Sequence, residues 1–145
     1  MKCVIQRVKD ASVSVEDKLI SEIDNGLLIY LGIEKGDNES KVEYCCNKIS
    51  KLRMFEDEDG KQNLSVKDIG GKILVVSQFT LCASLKKGNR PSYDNSEKPD
   101  IANTLYESAI QKFNNMGFVT KAGVFGAHMN VKYINDGPVT LILEK

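Results

Sequence analysis

Three hydrogen-bonding side chains follow one another where the most strand-like segment, residues 72–81, loses its apolar character. Ser77, Gln78 and Thr80 surround Phe79 there, directly after an apolar run. A strand end that turns polar is a place where a binding pocket can be lined. The same pattern is also typical of a strand that simply leaves the core, so these residues alone leave both interpretations open.

A second short segment, residues 135–140, reads NDGPVT. The bond between Gly137 and Pro138 could be cis, although only about 5–6% of X–Pro bonds in folded proteins are. A proline at the start of a strand is also an ordinary turn device. From the residues alone, either a structural turn or a functional loop is compatible with this segment.

The side chains that most enzymes use are scarce. The only histidine is His128, and the sequence contains no GxSxG, HExxH, GxxxxGK[ST] or GxGxxG motif. Catalysis would therefore depend on backbone donors, groups of the substrate or an isolated hydroxyl rather than on a triad.

No metal or other cofactor is expected either. The acidic run 56–60 lacks the calcium-loop pattern and is interpreted as a solvated loop. No cysteine pair has CxxC spacing, so we expect all four cysteines to be small buried residues. They are Cys3, Cys45, Cys46 and Cys82.

Alternating and continuous apolar runs predict seven or eight strands, and two stripes at helical spacing predict two long helices. The first helix should begin at Asp37 or Asn38 and run to about Arg53, and the second should begin at Pro99 and stop near Gly117. These elements suit a mixed α/β, compact three-layer β/β/α fold over residues 1–145, a single domain. The predicted strands are 3–8, 12–15, 19–23, 27–33, 72–81, 118–124, 129–134 and 139–143.

The composition limits the possible classes. The chain has 145 residues, of which 41% are hydrophobic and 28% charged, which excludes a disordered or fibrous protein. No apolar run reaches the roughly 20 residues of a membrane helix, so we expect a cytoplasmic protein with no membrane partner. Twenty basic residues balance twenty acidic ones, which argues against wrapping of duplex nucleic acid.

The combination of SQFTL (77–81) with NDGPVT (135–140) resembles the D-aminoacyl-tRNA deacylases, also called D-tyrosyl-tRNA deacylases. Further matching pieces cover essentially the whole chain without large insertions. They are residues 6–8 with 11–13, 63–66 with 70–71, 88–92 and 123–129.

The resemblance implies a β/β/α homodimer that hydrolyses the ester between a D-amino acid, or glycine, and the terminal adenosine of tRNA. Ser77, Gln78, Phe79 and Thr80 would line the pocket for that adenosine and the scissile ester. Gly137-Pro138 would be a Gly-cisPro motif that enters the partner's site and excludes L-amino acids by bulk, with Arg7 bracing it. Met129 would belong to the same substrate-binding set.

The resemblance also implies a mechanism. Backbone N–H groups near Phe79 and Thr80 would form the oxyanion hole, and the terminal 2′-hydroxyl of the tRNA would assist the attack. A covalent role for the Thr80 hydroxyl is the competing idea, but no base in the motif would activate it.

Lys86, Lys87 and Arg90 lie in one loop after the polar strand end. They are expected to meet phosphates of the tRNA acceptor end, or else to form an ordinary solvated loop. Two other functions stay open from the residues: a non-catalytic module that binds RNA ends, and an esterase for a small metabolite.

Overall fold

The computed structural model describes residues 1–145 and contains eight strands, two α-helices and one turn of 3-10 helix. The strand and helix counts agree with the sequence prediction. In chain order the elements are β1 (Lys2–Val15), β2 (Lys18–Ile23), β3 (Gly26–Gly32), α1 (Glu39–Ile49), β4 (Arg53–Glu56), β5 (Gln62–Ser65), β6 (Lys72–Ser77), the 3-10 turn (Phe79–Cys82), α2 (Pro99–Asn115), β7 (Thr120–Ala122) and β8 (Asn130–Glu144).

Strand β1 organises the main sheet because it pairs with three other strands, all antiparallel. Its first half pairs with β3, its second half pairs with β2, and β8 runs beside almost its whole length. On the far side of β3, strands β6 and β7 continue the sheet in parallel. Strands β4 and β5 form a separate hairpin.

Side chains of the central strands alternate between two cores. Leu27, Ile29 and Leu31 of β3 pack with the apolar faces of both helices. Leu28 and the neighbouring Leu74 of β6 point the other way, into a second cluster formed by strands alone. A sheet buried on both faces, with helices on only one of them, is the predicted β/β/α arrangement.

The two helices begin where the sequence predicts. Asn38 caps α1, because its side-chain oxygen accepts hydrogen bonds from the N–H groups of Ser40 and Lys41. Pro99 opens α2, and Gly117 follows its end with a φ of +89°. Helix α1 stops at Ile49, four residues before the predicted end at Arg53, because Arg53 already begins β4.

Neither helix is both long and apolar enough to cross a membrane. All four cysteines are free and buried, as predicted.

Several predicted strand boundaries are wrong. Segments 3–8 and 12–15 are one continuous strand, and so are 129–134 and 139–143, because β1 and β8 pair across the interruptions. The strand predicted over 72–81 ends at Ser77, and the chain then turns into the 3-10 helix. The hairpin of β4 and β5 was not predicted from the sequence.

Candidate active site

The end of β6 forms one wall of a cavity between the sheet and the start of α2. The apolar part of the strand is buried between the two cores, and Ser77 and Gln78 emerge from it half-buried. The backbone N–H of Gln78 donates to the carbonyl oxygen of Leu31 at 2.9 Å, which ties the strand end to β3. The 3-10 turn then directs Phe79 and Thr80 outward, and both are exposed.

The cavity has a volume of about 520 Å³, which is large enough for a nucleoside-sized group. Its wall is mainly apolar, with a few hydrogen-bonding groups. The lining residues are Leu31, Ile33, Val76, Ser77, Gln78, Phe79, Ser96, Glu97, Pro99, Ala102, Tyr106, Phe125, Gly126, Ala127, His128, Met129 and Val131.

The segment before α2 holds the opposite wall in place. The Ser96 hydroxyl donates to the carbonyl oxygen of Phe79 at 3.3 Å. The N–H of Glu97 donates to the carbonyl oxygen of Ile33 at 3.0 Å, and its carboxylate accepts from the N–H of Gly36 at 3.2 Å. The cavity is therefore framed by hydrogen bonds that join three separate parts of the chain.

Tyr106 closes the bottom of the cavity as a neutral donor. Burial raises the pKa of its phenol to about 12, and its hydroxyl donates to the carbonyl oxygen of Val75 at 2.8 Å. Met129 packs tightly against Gly123, since a Cβ at Gly123 would lie 2.6 Å from the Met129 sulfur. The cavity floor therefore supplies shape and hydrogen bonds rather than a base.

The NDGPVT segment is a bulge in β8. Gln6 of β1 pairs with Thr140 and Val8 pairs with Asn135, so residues 136–139 lie opposite Arg7 alone. The Asn135 side chain fastens the bulge by donating to the Thr140 hydroxyl at 3.0 Å and accepting from the N–H of Val139 at 3.3 Å. The bond between Gly137 and Pro138 is cis, and both residues are exposed.

Arg7 holds this bulge from inside the fold. Its side chain is 7% exposed, its Nη1 donates to the carbonyl oxygen of Met54 at 2.8 Å, and its Nε donates to the carbonyl oxygen of Asp136 at 3.2 Å. The Asp136 carboxylate also lies 3.2 Å from Nε, and Glu56 lies 3.6 Å from Nη2. One buried guanidinium thus links β1, the β4–β5 hairpin and the exposed bulge.

The predicted site residues fall into three groups in the structure. Ser77, Gln78, Phe79 and Met129 line the cavity, whereas the side chain of Thr80 accepts a hydrogen bond from Gln78 outside the lining set. Arg7, Gly137 and Pro138 form the separate bulge cluster. Lys86, Lys87 and Arg90 occupy an exposed loop, and none of the three pairs with a carboxylate of the chain.

Some residues that shape the site are not evident from the sequence. Ser96, Glu97 and Tyr106 line the cavity, but nothing in their spacing distinguishes them from a loop and a helix face. Asn135 and Thr140 belong to the NDGPVT motif, but the register between β1 and β8 is needed to show that they hold the bulge in place. His128, the only histidine, is exposed and lines the cavity.

Comparison with known proteins gives consistent matches over the whole chain. A family model described as D-Tyr-tRNA(Tyr) deacylase matches residues 4–144. The D-aminoacyl-tRNA deacylase of Thermosipho africanus is 52% identical over 144 residues, covering 99% of this chain and 97% of the relative. The D-aminoacyl-tRNA deacylase of Pelobacter propionicus is 48% identical over 145 residues, which is 100% of both chains.

Two solved structures share the fold. One, named c-Myc DNA Unwinding Element Binding Protein, has a TM-score of 0.94 and 42% sequence identity, and the match covers 100% of this chain and 99% of that one. The other, described as a probable eukaryotic D-amino acid tRNA deacylase, has a TM-score of 0.83, covers 98% and 97% of the two chains, and at 14% identity shows likeness of fold alone. The family model and the full-length relatives together show that this chain is a member of the D-Tyr-tRNA(Tyr) deacylase family of hydrolases.

Proposed function

We propose that this chain hydrolyses the ester bond of D-aminoacyl-tRNA, and of glycyl-tRNA mischarged on tRNA(Ala), and releases free tRNA and the amino acid. The observation that carries the proposal is the cavity of about 520 Å³ walled by Ser77, Gln78 and Phe79, in a chain of this family. Its apolar wall suits the terminal adenosine. We expect the enzyme to act in the cytoplasm.

Selectivity in this proposal is steric. The exposed backbone of Gly137 and Pro138 would occupy the space that an L side chain needs, whereas a D side chain would point away. Glycine has no side chain to exclude, so it would be accepted. Arg7 supports the idea because a wedge that excludes by bulk must be held rigidly. Its buried guanidinium bonds to Asp136 in the bulge and to Met54 in β4, so it ties the bulge to the β4–β5 hairpin.

The proposed chemistry uses few side chains. Water attacks the ester carbonyl, and the developing oxyanion is stabilised by the N–H groups of Phe79 and Thr80, which open the 3-10 turn and have no acceptor within it. The 2′-hydroxyl of the terminal ribose assists the attack, and the 3′-oxygen leaves with a proton. The Thr80 hydroxyl accepts a hydrogen bond from Gln78 and has no base beside it.

The site is proposed to be completed by a second copy of the chain. Gly137 and Pro138 are absent from the cavity lining of their own protomer, so a wedge acting on the bound substrate must come from another one. Strand β8 has no second strand partner, and it exposes Ile134 and Ile142 on either side of the bulge. Such a surface suits an isologous homodimer.

The proposed activity is tested with D-tyrosyl-tRNA, L-tyrosyl-tRNA and glycyl-tRNA as substrates. We expect the wild type to release tRNA from the first and third and to spare the second. We expect Thr80→Ala to keep most of this activity, because the proposed oxyanion hole consists of backbone N–H groups, which the substitution retains. Inactivity of the wild type on D-tyrosyl-tRNA would refute the function, and a trapped aminoacyl ester on Thr80 would refute the mechanism.

Completion of the site in trans is tested by mixing two defective variants, Phe79→Ala and Gly137→Ala. In a mixed dimer, one site contains both defects and the other contains neither. Half of the dimers are mixed at equilibrium, so equimolar mixing should restore about a quarter of the wild-type activity. If each protomer instead supplies its own wedge, mixing two inactive variants restores nothing.

A further inference from the structure

Two exposed aromatic rings contact each other at the mouth of the cavity. Phe79 is 58% exposed and Tyr93 is 41% exposed, and their ring centroids lie 5.1 Å apart at an interplanar angle of 65°. Neither ring belongs to a core cluster. Phe79 lines the cavity and Tyr93 does not, so the pair extends the apolar wall outward from the cavity mouth.

A loop rich in cations lies next to this aromatic pair. The N–H groups of Ser84 and Ser92 each donate to the other's carbonyl oxygen, at 2.8 and 3.1 Å, and close the loop into a projecting ring. Residues 84–93 carry three basic residues and no acidic one. Leu85, at the start of the ring, is 74% exposed.

Exposed aromatic faces beside unpaired cations are the combination with which proteins bind single-stranded nucleic acid. The bases stack on the rings, and the phosphates meet the cations. We propose that Tyr93 stacks on the base of the nucleotide that precedes the terminal adenosine, and that the loop 84–92 contacts the backbone of that unpaired strand. The proposal rests on the proposed function, because it requires the terminal adenosine to occupy the cavity.

The geometry assigns the two rings to different bases. At 65° to each other, Phe79 and Tyr93 cannot both lie flat against one base. Phe79 borders the cavity and faces the terminal nucleoside, and the strand that leaves the cavity next meets Tyr93. The positive charge of the loop favours RNA as its binding partner. An apolar peptide without acidic residues, or a second copy of this chain, would suit the loop less well.

The test compares two substrates that share the ester but differ in length. D-tyrosyl-tRNA carries the preceding nucleotides, and D-tyrosyl-adenosine lacks them. We expect Tyr93→Ala to lower kcat/KM for D-tyrosyl-tRNA about tenfold or more and to leave D-tyrosyl-adenosine unchanged. Tyr93→Phe keeps the stacking face and should resemble the wild type on both substrates.

The matched control is Tyr44→Ala, which removes a tyrosine of similar exposure, 42%, from the distant helix α1. It should change neither substrate. Equal losses on both substrates for Tyr93→Ala would overturn the proposal, because Tyr93 would then act only by supporting Phe79. No loss on either, or a change of oligomeric state detected by light scattering, would also overturn it. A wild type that hydrolyses neither substrate would refute the proposed function itself.

Discussion

Two residues of the N-terminal segment, Met1 and Arg7, each use a positive charge to fix another part of the chain, and they do so in opposite ways. The ammonium of Met1 contacts the carboxylates of Glu34 and Asp37 at 3.0 and 2.9 Å and the carbonyl oxygen of Lys145 at 2.7 Å. Arg7 contacts Met54 and the bulge at Asp136.

The difference lies in what each cluster presents to its surroundings. The side chain of Asp37 is fully buried, and Lys41 completes its pairing at 2.8 Å, so the Met1 cluster is closed within one protomer. In the Arg7 cluster, a buried guanidinium instead holds a loop whose tip, Gly137-Pro138, is exposed. We infer that the first cluster serves the stability of the fold, and that the second serves the shape of a surface that acts elsewhere.

The largest effect should come from breaking the Met1 cluster, and it should appear in the stability of the fold. Asp37→Asn leaves the Met1 ammonium with Glu34, at 3.0 Å, as its remaining carboxylate partner, and removing one partner of a buried ion pair costs up to about 3–5 kcal/mol. We expect a loss of that size in the free energy of unfolding, measured by urea titration. Glu43→Gln, an exposed position on α1, is the control and should unfold like the wild type.

The pH dependence of this loss tests the same pair. Burial alone would raise the pKa of Asp37, but hydrogen bonds from Lys41 and the Met1 ammonium outweigh burial, and the net pKa lies below its ordinary value of 3.8. The stabilisation by a depressed pKa is fully present above the unfolded value and is lost as pH falls through the folded value. The stability gap between wild type and Asp37→Asn should therefore narrow below about pH 4. A gap that stays constant on acidification would show that the charge of Asp37 is not what stabilises the fold.

The next effect should appear in activity rather than stability. Gly137 has a φ of +124°, and a Cβ there would lie 2.8 Å from the Val139 side chain and 3.1 Å from the Arg7 guanidinium. Gly137→Ala must therefore displace the tip of the bulge. A misplacement of about 1 Å can cost about 10²-fold in rate, and we expect a loss of that order in D-tyrosyl-tRNA hydrolysis.

A second glycine serves as a control that distinguishes displacement of the bulge from backbone strain. Gly60 also has a positive φ, +74°, but a Cβ there would meet nothing within 4 Å. Gly60→Ala should keep full activity. Loss of activity in both variants, or in neither, would contradict the role given to the bulge.

Local patterns were sufficient to predict both helices, the layers and every strand except the two of the β4–β5 hairpin. The sequence displays directly the features that depend on neighbouring residues. They are the cap of α1 at Asn38, the proline that opens α2 and the continuous apolar run of β3. Boundaries failed where a distant partner decides them. β1 and β8 are continuous because they pair with each other across the interruptions in their patterns.

The site divides in the same way. Ser77, Gln78 and Phe79 drew attention because an apolar strand turns polar there, but only the family resemblance assigned them to a pocket. Ser96 and Tyr106 were not predictable, because they reach the cavity only through the packing of the segment before α2 and of α2 itself. The position of Arg7 opposite four bulged residues follows from the register of two strands that lie more than one hundred residues apart in the chain.

The smallest effect should come from loosening the Arg7 cluster without removing its positive charge. Arg7→Lys keeps one positive charge, but a single ammonium cannot reproduce the guanidinium's bonds to both Met54 and Asp136, which lie on different sides of it. The wedge would then be less rigid, so we expect hydrolysis of L-tyrosyl-tRNA to rise relative to D-tyrosyl-tRNA by about tenfold, the equivalent of about 1.4 kcal/mol. Glu56→Gln is the control within the same cluster: Glu56 is 53% exposed and 3.6 Å from Nη2, and exposed pairs of this kind contribute about 0–1 kcal/mol. The D-to-L ratio should therefore stay unchanged in Glu56→Gln. If Arg7→Lys also leaves the D-to-L ratio unchanged, the buried guanidinium contributes only to the stability of the fold. The Arg7 cluster would then have the same role as the Met1 cluster.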